Sequence, residues 1–191
     1  YGMAVIAALT AQNTLGVSGV QAIGADFVTA QLEAISADVR IDAVKIGMLA
    51  NQEIIDAVAA WLDAVSVPVV LDPVMVATSG DALLEDAAAL HPLLARATVI
   101  TPNTAELGAL LGVAAAQDWS GALDQAQRLA EAHDVLVLAK GGHLSGAQCP
   151  DALVSAAGVL AEFTSRRHAT KNTHGTGCTL SSALATRFAA T

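Results

Sequence analysis

The sequence predicts a three-layer α/β/α protein built around a central, mostly parallel sheet. Three observations predict it. Short runs rich in valine and isoleucine alternate with longer segments at helical spacing, the pattern of right-handed βα crossovers with helices on both sheet faces. The strand runs are continuously apolar rather than alternating, as strands buried on both faces are. Polar residues gather just beyond those runs, where ligands of open α/β sheets bind.

Taken in order, residues 3–9 (MAVIAAL), 43–46, 67–71 (VPVVL), 98–100 and 135–138 (VLVL) read as buried strands. A first helical face falls in residues 26–36. The second helix is signalled best: Ile54, Ile55, Val58, Trp61, Leu62 and Val65 share one face. Asn51 precedes it and Glu53 lies in its first turn, a good start signal. Weaker patterns cover 81–95, 103–111 and 121–133, and a last helix opens at the glycines before Cys178 and runs toward Phe188. Gln12-Asn13-Thr14 then follow the first strand, Gly47-Met48 the second and Asp72-Pro73 the third. Thr101-Pro102-Asn103 follow the fourth and Lys140-Gly141-Gly142-His143 the fifth, so five strand ends face one rim. No repeat or linker interrupts residues 1–191, which read as a single domain.

Composition narrows the function classes. At ~150 residues per domain, 191 residues are one domain. Hydrophobic residues at 54% against 14% charged exclude disorder. Nine Lys and Arg against 18 Asp and Glu give a formal charge of −9, which argues against nucleic acid as a partner. Two cysteines, Cys149 and Cys178, are too few for a disulfide framework and lack zinc-ligand spacing. The first Lys or Arg is Arg40, so no signal peptide is visible. No uncharged apolar run reaches the ~20 residues of a membrane span. The expectation is a soluble, cytoplasmic protein.

His174-Gly175-Thr176-Gly177-Cys178 is the strongest local signal. Two glycines separated by one residue turn the backbone tightly and expose amides at a helix start, an anion site suited to phosphate. The third glycine of a dinucleotide fingerprint is missing, and an ordinary glycine turn into a helix explains the tripeptide equally. Cys178 lies in that helix's first turn, where the dipole favours negative charge, so a thiolate there could take a proton from an attacking hydroxyl. A small core thiol is the other reading. Asn103 and Glu106 have capping-box spacing. Asp72 reads as a turn residue or, with Glu106, as a magnesium-side carboxylate. Lys140, after a buried strand and before two glycines, is suited to a phosphate.

Seven segments in order, AALTAQNT (7–14), DFVTAQLEAI (26–35), VRIDAVKIGML (39–49), VVLDPVMVATSGDALL (69–84), ITPNTAELGALLG (100–112), LAKGGHLSG (138–146) and TKNTHGTGCTLSSALA (170–185), resemble hydroxymethylpyrimidine/phosphomethylpyrimidine kinases of thiamine biosynthesis. These belong to the ribokinase-like superfamily, and the resemblance covers nearly the whole chain. It implies an ATP- and Mg²⁺-dependent enzyme that phosphorylates 4-amino-5-hydroxymethyl-2-methylpyrimidine and then its monophosphate. Alternatives are a pyridoxal/pyridoxine kinase of the same superfamily or a non-catalytic pyrimidine-binding module. The resemblance further implies that Cys178 is the general base, with Gly175, Thr176 and Gly177 forming an anion hole. Gln12, Met48 and Val74 would hold the pyrimidine. Asn103, Lys140 and Thr173 would contact ATP, and Asp72 and Glu106 would organise Mg²⁺. A homodimer is implied. Family members carry a strand and a glycine-rich segment before the position of Tyr1 and continue past that of Thr191. The chain therefore reads as a fragment, with an unpaired sheet edge beside residues 3–9.

Overall fold

The computed structural model describes residues 1–13, 16–75, 87–170 and 173–190. A six-stranded mixed sheet forms the centre, in the order β3 (Val44–Ile46), β4 (Val69–Leu71), β5 (Val99–Ile100), β6 (Leu136–Lys140), β7 (Gln148–Ser155) and β8 (Gly158–Arg166). β3 to β6 are parallel, with Val44 opposite Val69, Val70 opposite Val99 and Val99 opposite Leu136. β7 and β8 extend the sheet as an antiparallel hairpin. This is the expected three-layer α/β/α architecture.

Helices cover the two faces unequally. α1 (Ala25–Asp38), α2 (Gln52–Leu62), α3 (His91–Leu94), α4 (Thr104–Leu111) and α5 (Trp119–His133) send Val28, Ile54, Ile55, Leu93, Leu107 and Leu129 into one core with Ile46, Leu71, Ile100 and Val137. Each such side chain, fully buried, contributes roughly 1.5–3 kcal/mol. α6 (Thr176–Ala189) belongs to a second cluster, Ala185, Leu184 and Phe188 against Val70 and Val99. The helix starts follow the sequence signals. Asn51 Oδ1 accepts from the Ile54 amide at 3.0 Å, and Asp118 Oδ1 accepts from Gly121 at 2.8 Å.

Three expectations are corrected. Residues 3–9 are not a strand of the central sheet: β1 (Ala8–Gln12) pairs antiparallel with β2 (Val17–Ala22) as a separate ribbon. Continuous apolarity was the only signal there, and it marks the packing of Val5 and Ala7 against the core, while β1 itself stays largely exposed. Gln12 therefore does not end a central strand, and four parallel strand ends, not five, form the rim. The edges of the sheet among the described residues are accordingly β3 and β8, not residues 3–9. Finally, the β7–β8 hairpin carries no continuous apolar run. Asp151, Ser155, Glu162 and Thr164 interrupt it, and cross-strand pairing holds it instead. Of the helix expected over 81–95, a 3-10 turn (Ala87–Leu90) leading into α3 is present; its start lies outside the described residues.

Candidate functional site

The four parallel strands end at one place. Asp72 follows β4, Thr101 follows β5, Lys140 ends β6, and Lys45 lies within β3. An isolated parallel bridge between Asn103 and Lys140 extends the β5–β6 pairing to this rim. Asp72 is 2% exposed, and a charge so buried persists only when paired and hydrogen-bonded. Its Oδ1 lies 3.2 Å from Lys140 Nζ and accepts from Thr101 Oγ1 at 2.9 Å. Its Oδ2 accepts from Ser181 Oγ of α6 at 3.2 Å and faces Lys45 Nζ at 4.0 Å. The Ser181 proton is shared with the Gly177 carbonyl, 3.0 Å away. One carboxylate thus gathers two cations and two hydroxyls from four elements.

The start of α6 lies against this group. Gly175 caps the helix at φ 76°, a left-handed conformation that a side chain would strain. A Cβ on Gly177 would sit 3.4 Å from Lys140 Nζ and 3.7 Å from Asp72 Oδ2, so the lack of a side chain keeps the space beside that pair open. The Thr176 amide and hydroxyl both donate to the Thr173 carbonyl, at 3.3 and 2.9 Å. Among the described residues no acceptor meets the amides of Gly177 and Cys178. Two free amides, a helix dipole and a half-buried ammonium therefore converge where an anion would bind. Cys178 is an exposed free thiol in that first turn, while Cys149 is a half-buried hairpin residue.

Asn103 and Glu106 form the capping box that opens α4. Asn103 Oδ1 accepts from the amides of Ala105 and Glu106, and Glu106 Oε2 accepts from the Asn103 amide at 2.8 Å. Burial pushes the Glu106 carboxyl up to about 7 against its ordinary 4.5. The Asn103 amide and the Lys140 charge pull the other way, and the Asp72 charge adds to the rise. Burial likewise raises the Asp151 carboxyl, against a 3.2 Å bond from the Gly141 amide and the Lys140 charge.

Of the residues singled out in the sequence, Asp72, Lys140 and Gly177 are brought into contact, and Gly175, Thr176 and Cys178 share the α6 start. Asn103 and Glu106 stand beside them. Met48 and Val74 are half-buried just past β3 and β4, and the Val74 amide donates to the Asp72 carbonyl at 2.8 Å. Gln12 lies on the exposed ribbon and Thr173 is exposed before α6. Lys45 and Ser181 were not foreseen. A lysine inside the apolar run VKI was their one available signal, because such a cation needs a buried partner. An open concavity of about 570 Å³ lies elsewhere, between Trp119, Gly146, Gln148, Pro150 and Glu162, and none of the strand-end residues lines it.

Fold and site together define the class, a ribokinase-like α/β protein with a glycine-opened helix start at the sheet rim. The chain superposes on Staphylococcus aureus pyridoxal kinase in complex with ADP at a TM-score of 0.87 and 29% identity, covering 99% of this chain and 70% of that one. It matches a phosphomethylpyrimidine kinase from Clostridium difficile at 0.77 and 36% identity, covering 99% and 78%. Backbone shape does not separate these two kinases, but sequence does. The family model for phosphomethylpyrimidine kinase matches residues 1–191, and the Escherichia coli hydroxymethylpyrimidine/phosphomethylpyrimidine kinase is 49% identical over 189 residues, 97% of this chain and 71% of that protein. The chain belongs to the phosphomethylpyrimidine kinase family. It is also 46% identical over 193 residues to a thiamine biosynthesis multifunctional protein of Corynebacterium glutamicum, of which it spans 25% of the length. No helix of the described residues is long and apolar enough to cross a membrane.

Proposed function

We propose that the intact protein transfers the γ-phosphoryl group of ATP to hydroxymethylpyrimidine and then to its monophosphate. The observation that carries this is Gly177 lying beside the Lys140–Asp72 pair at the α6 start. A backbone cradle next to a half-buried cation is what phosphoryl transfer asks of a protein, namely positioning and charge stabilisation. In this reading the substrate hydroxyl oxygen attacks the γ-phosphorus, its proton passes to Cys178 Sγ, and ADP leaves. The Gly177 and Cys178 amides and Lys140 hold the transferring oxygens. Asn103 and Thr173 contact the nucleotide, and Gln12, Met48 and Val74 contact the pyrimidine.

Magnesium fits this donor set on restricted terms. Asp72 is already engaged by two hydroxyls and two ammonium groups, and no cluster of three His, Cys, Asp or Glu exists among the described residues. Glu106 keeps Oε1 clear of its capping bond. It is the carboxylate that would reach the ion, with water and ATP phosphates completing the shell as magnesium prefers. The bound ion would neutralise charge on the phosphates. A homodimer, which the family resemblance suggests, is tested by sedimentation.

The deciding experiment measures kcat/KM of the intact protein for the hydroxymethylpyrimidine and for pyridoxine, with ATP and Mg²⁺. Preference for the pyrimidine by at least ~10-fold is expected. Preference for pyridoxine would assign the chain to the other vitamin-kinase activity, and binding of the pyrimidine without turnover would make it a binding module.

A further inference from the structure

The loop over residues 141–147 leaves β6 immediately after Lys140. Three of its residues are glycines, and Gly146 sits at φ 119°. Such a segment loses more backbone freedom on ordering than most. Its internal support is slight, a bond from the Leu144 amide to the Gly141 carbonyl at 3.0 Å. The order comes from outside. Arg167, the first residue after β8, donates through Nε to the Gly146 carbonyl at 2.7 Å and through Nη1 to the Gly142 carbonyl at 2.8 Å. Its Nη2 donates to the Leu144 carbonyl and, at 3.4 Å, to that of Gln148. The Arg167 amide adds a bond to the Ala147 carbonyl at 2.9 Å. No ion pair of Arg167 occurs among the described residues, so its guanidinium is spent on backbone carbonyls and keeps its charge unneutralised. The near end of the loop is tied separately. The Gly141 amide donates to the Pro150 carbonyl at 2.8 Å and to Asp151 Oδ1, and Asp151 stands opposite Lys140 in the β6–β7 register.

One side chain at the end of β8 therefore fastens the loop that follows Lys140. We propose that Arg167 is a positioning residue, a clamp that holds the Lys140-Gly141-Gly142 turn in the conformation that meets the nucleotide. This rests on the kinase reading above. Lysine cannot replace it, because one ammonium has neither the planar fork nor the number of directed donors needed to reach four carbonyls.

The test compares the intact wild type with Arg167→Ala and Arg167→Lys by amide exchange over residues 141–148 and by steady-state kinetics. Both variants should exchange faster in that loop and raise KM for ATP about 10-fold, with KM for the pyrimidine within about 2-fold. Added methylguanidinium should restore the alanine variant but not the lysine variant. Wild-type KM for ATP in Arg167→Lys, equal losses for both substrates, or unchanged loop exchange would each overturn the clamp. If the alanine variant does not fold, the lysine variant decides alone. A wild type without turnover would overturn the kinase reading, and the exchange measurement would still decide whether Arg167 orders the loop.

Discussion

Replacing Glu106 with glutamine turns the burial of one carboxyl into a measurable dependence of stability on pH. Burial raises the folded-state value from 4.5 to about 7. Between those values the folded protein keeps a proton that the unfolded chain releases, so stability falls as pH rises through the window and the loss is complete above about 7. At ~1.4 kcal/mol per tenfold change in proton affinity, the full loss is about 3 kcal/mol. Glutamine keeps the acceptor that the Asn103 amide needs, so the capping box survives. Burial also raises Asp151 and lowers His133 from its ordinary 6.5, the latter making stability rise with pH below that value, but both are common to the two proteins and cancel in the difference. Urea unfolding of both proteins at intervals from pH 4.5 to 8, with a chelator present, gives that difference directly. It should be near zero at the acid end and reach about 3 kcal/mol in favour of glutamine at pH 8. A difference that does not change with pH would show that the Glu106 carboxyl is not perturbed by its surroundings.

The other consequences concern the α6 start and its anchor. Cys178→Ala in the intact protein should lower kcat at least ~100-fold with a smaller change in substrate KM, read by steady-state kinetics. Gly177→Ala should leave stability unchanged or raise it by about 0.5 kcal/mol, since the helix gains and the new methyl meets only van der Waals contacts, yet lower kcat/KM because the methyl occupies space beside Lys140 that a bound phosphate would need. Gly175→Ala should do the reverse first, costing ~1–2 kcal/mol in urea unfolding because φ is 76° there. Asp72→Asn leaves two largely buried ammonium groups without their counter-charge and should destabilise by ~3–5 kcal/mol, measured the same way.

What could be read in advance followed from local physics. The α2 stripe, its Asn51 cap, the Asn103–Glu106 box and the glycine entry to α6 are all fixed by residues within one or two turns, and each stands where the pattern placed it. The parallel core strands were legible because burial on both faces leaves continuous apolar runs. The β1–β2 ribbon and the β7–β8 hairpin were not: β1, β2 and β8 are largely exposed, and in β7 only Ala152 and Val154 are buried, too short an alternation to mark a strand. In the site, residues at strand ends were visible from their position alone. Lys45 and Ser181 were hidden because their meaning depends on Asp72, which only the folded sheet brings near.

The set of partners around Asp72 also fixes when the strand-end cluster is complete. Thr101 is 29 positions away along the chain, Lys140 is 68 and Ser181 is 109. Contacts of such long range are late rewards of folding, reached after local helices and neighbouring strands have formed. α6 is the last of the described elements, and during synthesis the earlier strands can assemble while it is still unmade. Until α6 docks, Asp72 lacks a hydroxyl partner and Lys140 has no helix start above it. A nascent or loosened chain that has its sheet but not α6 therefore leaves the strand-end cluster open on the side that α6 covers, however well the rest is packed.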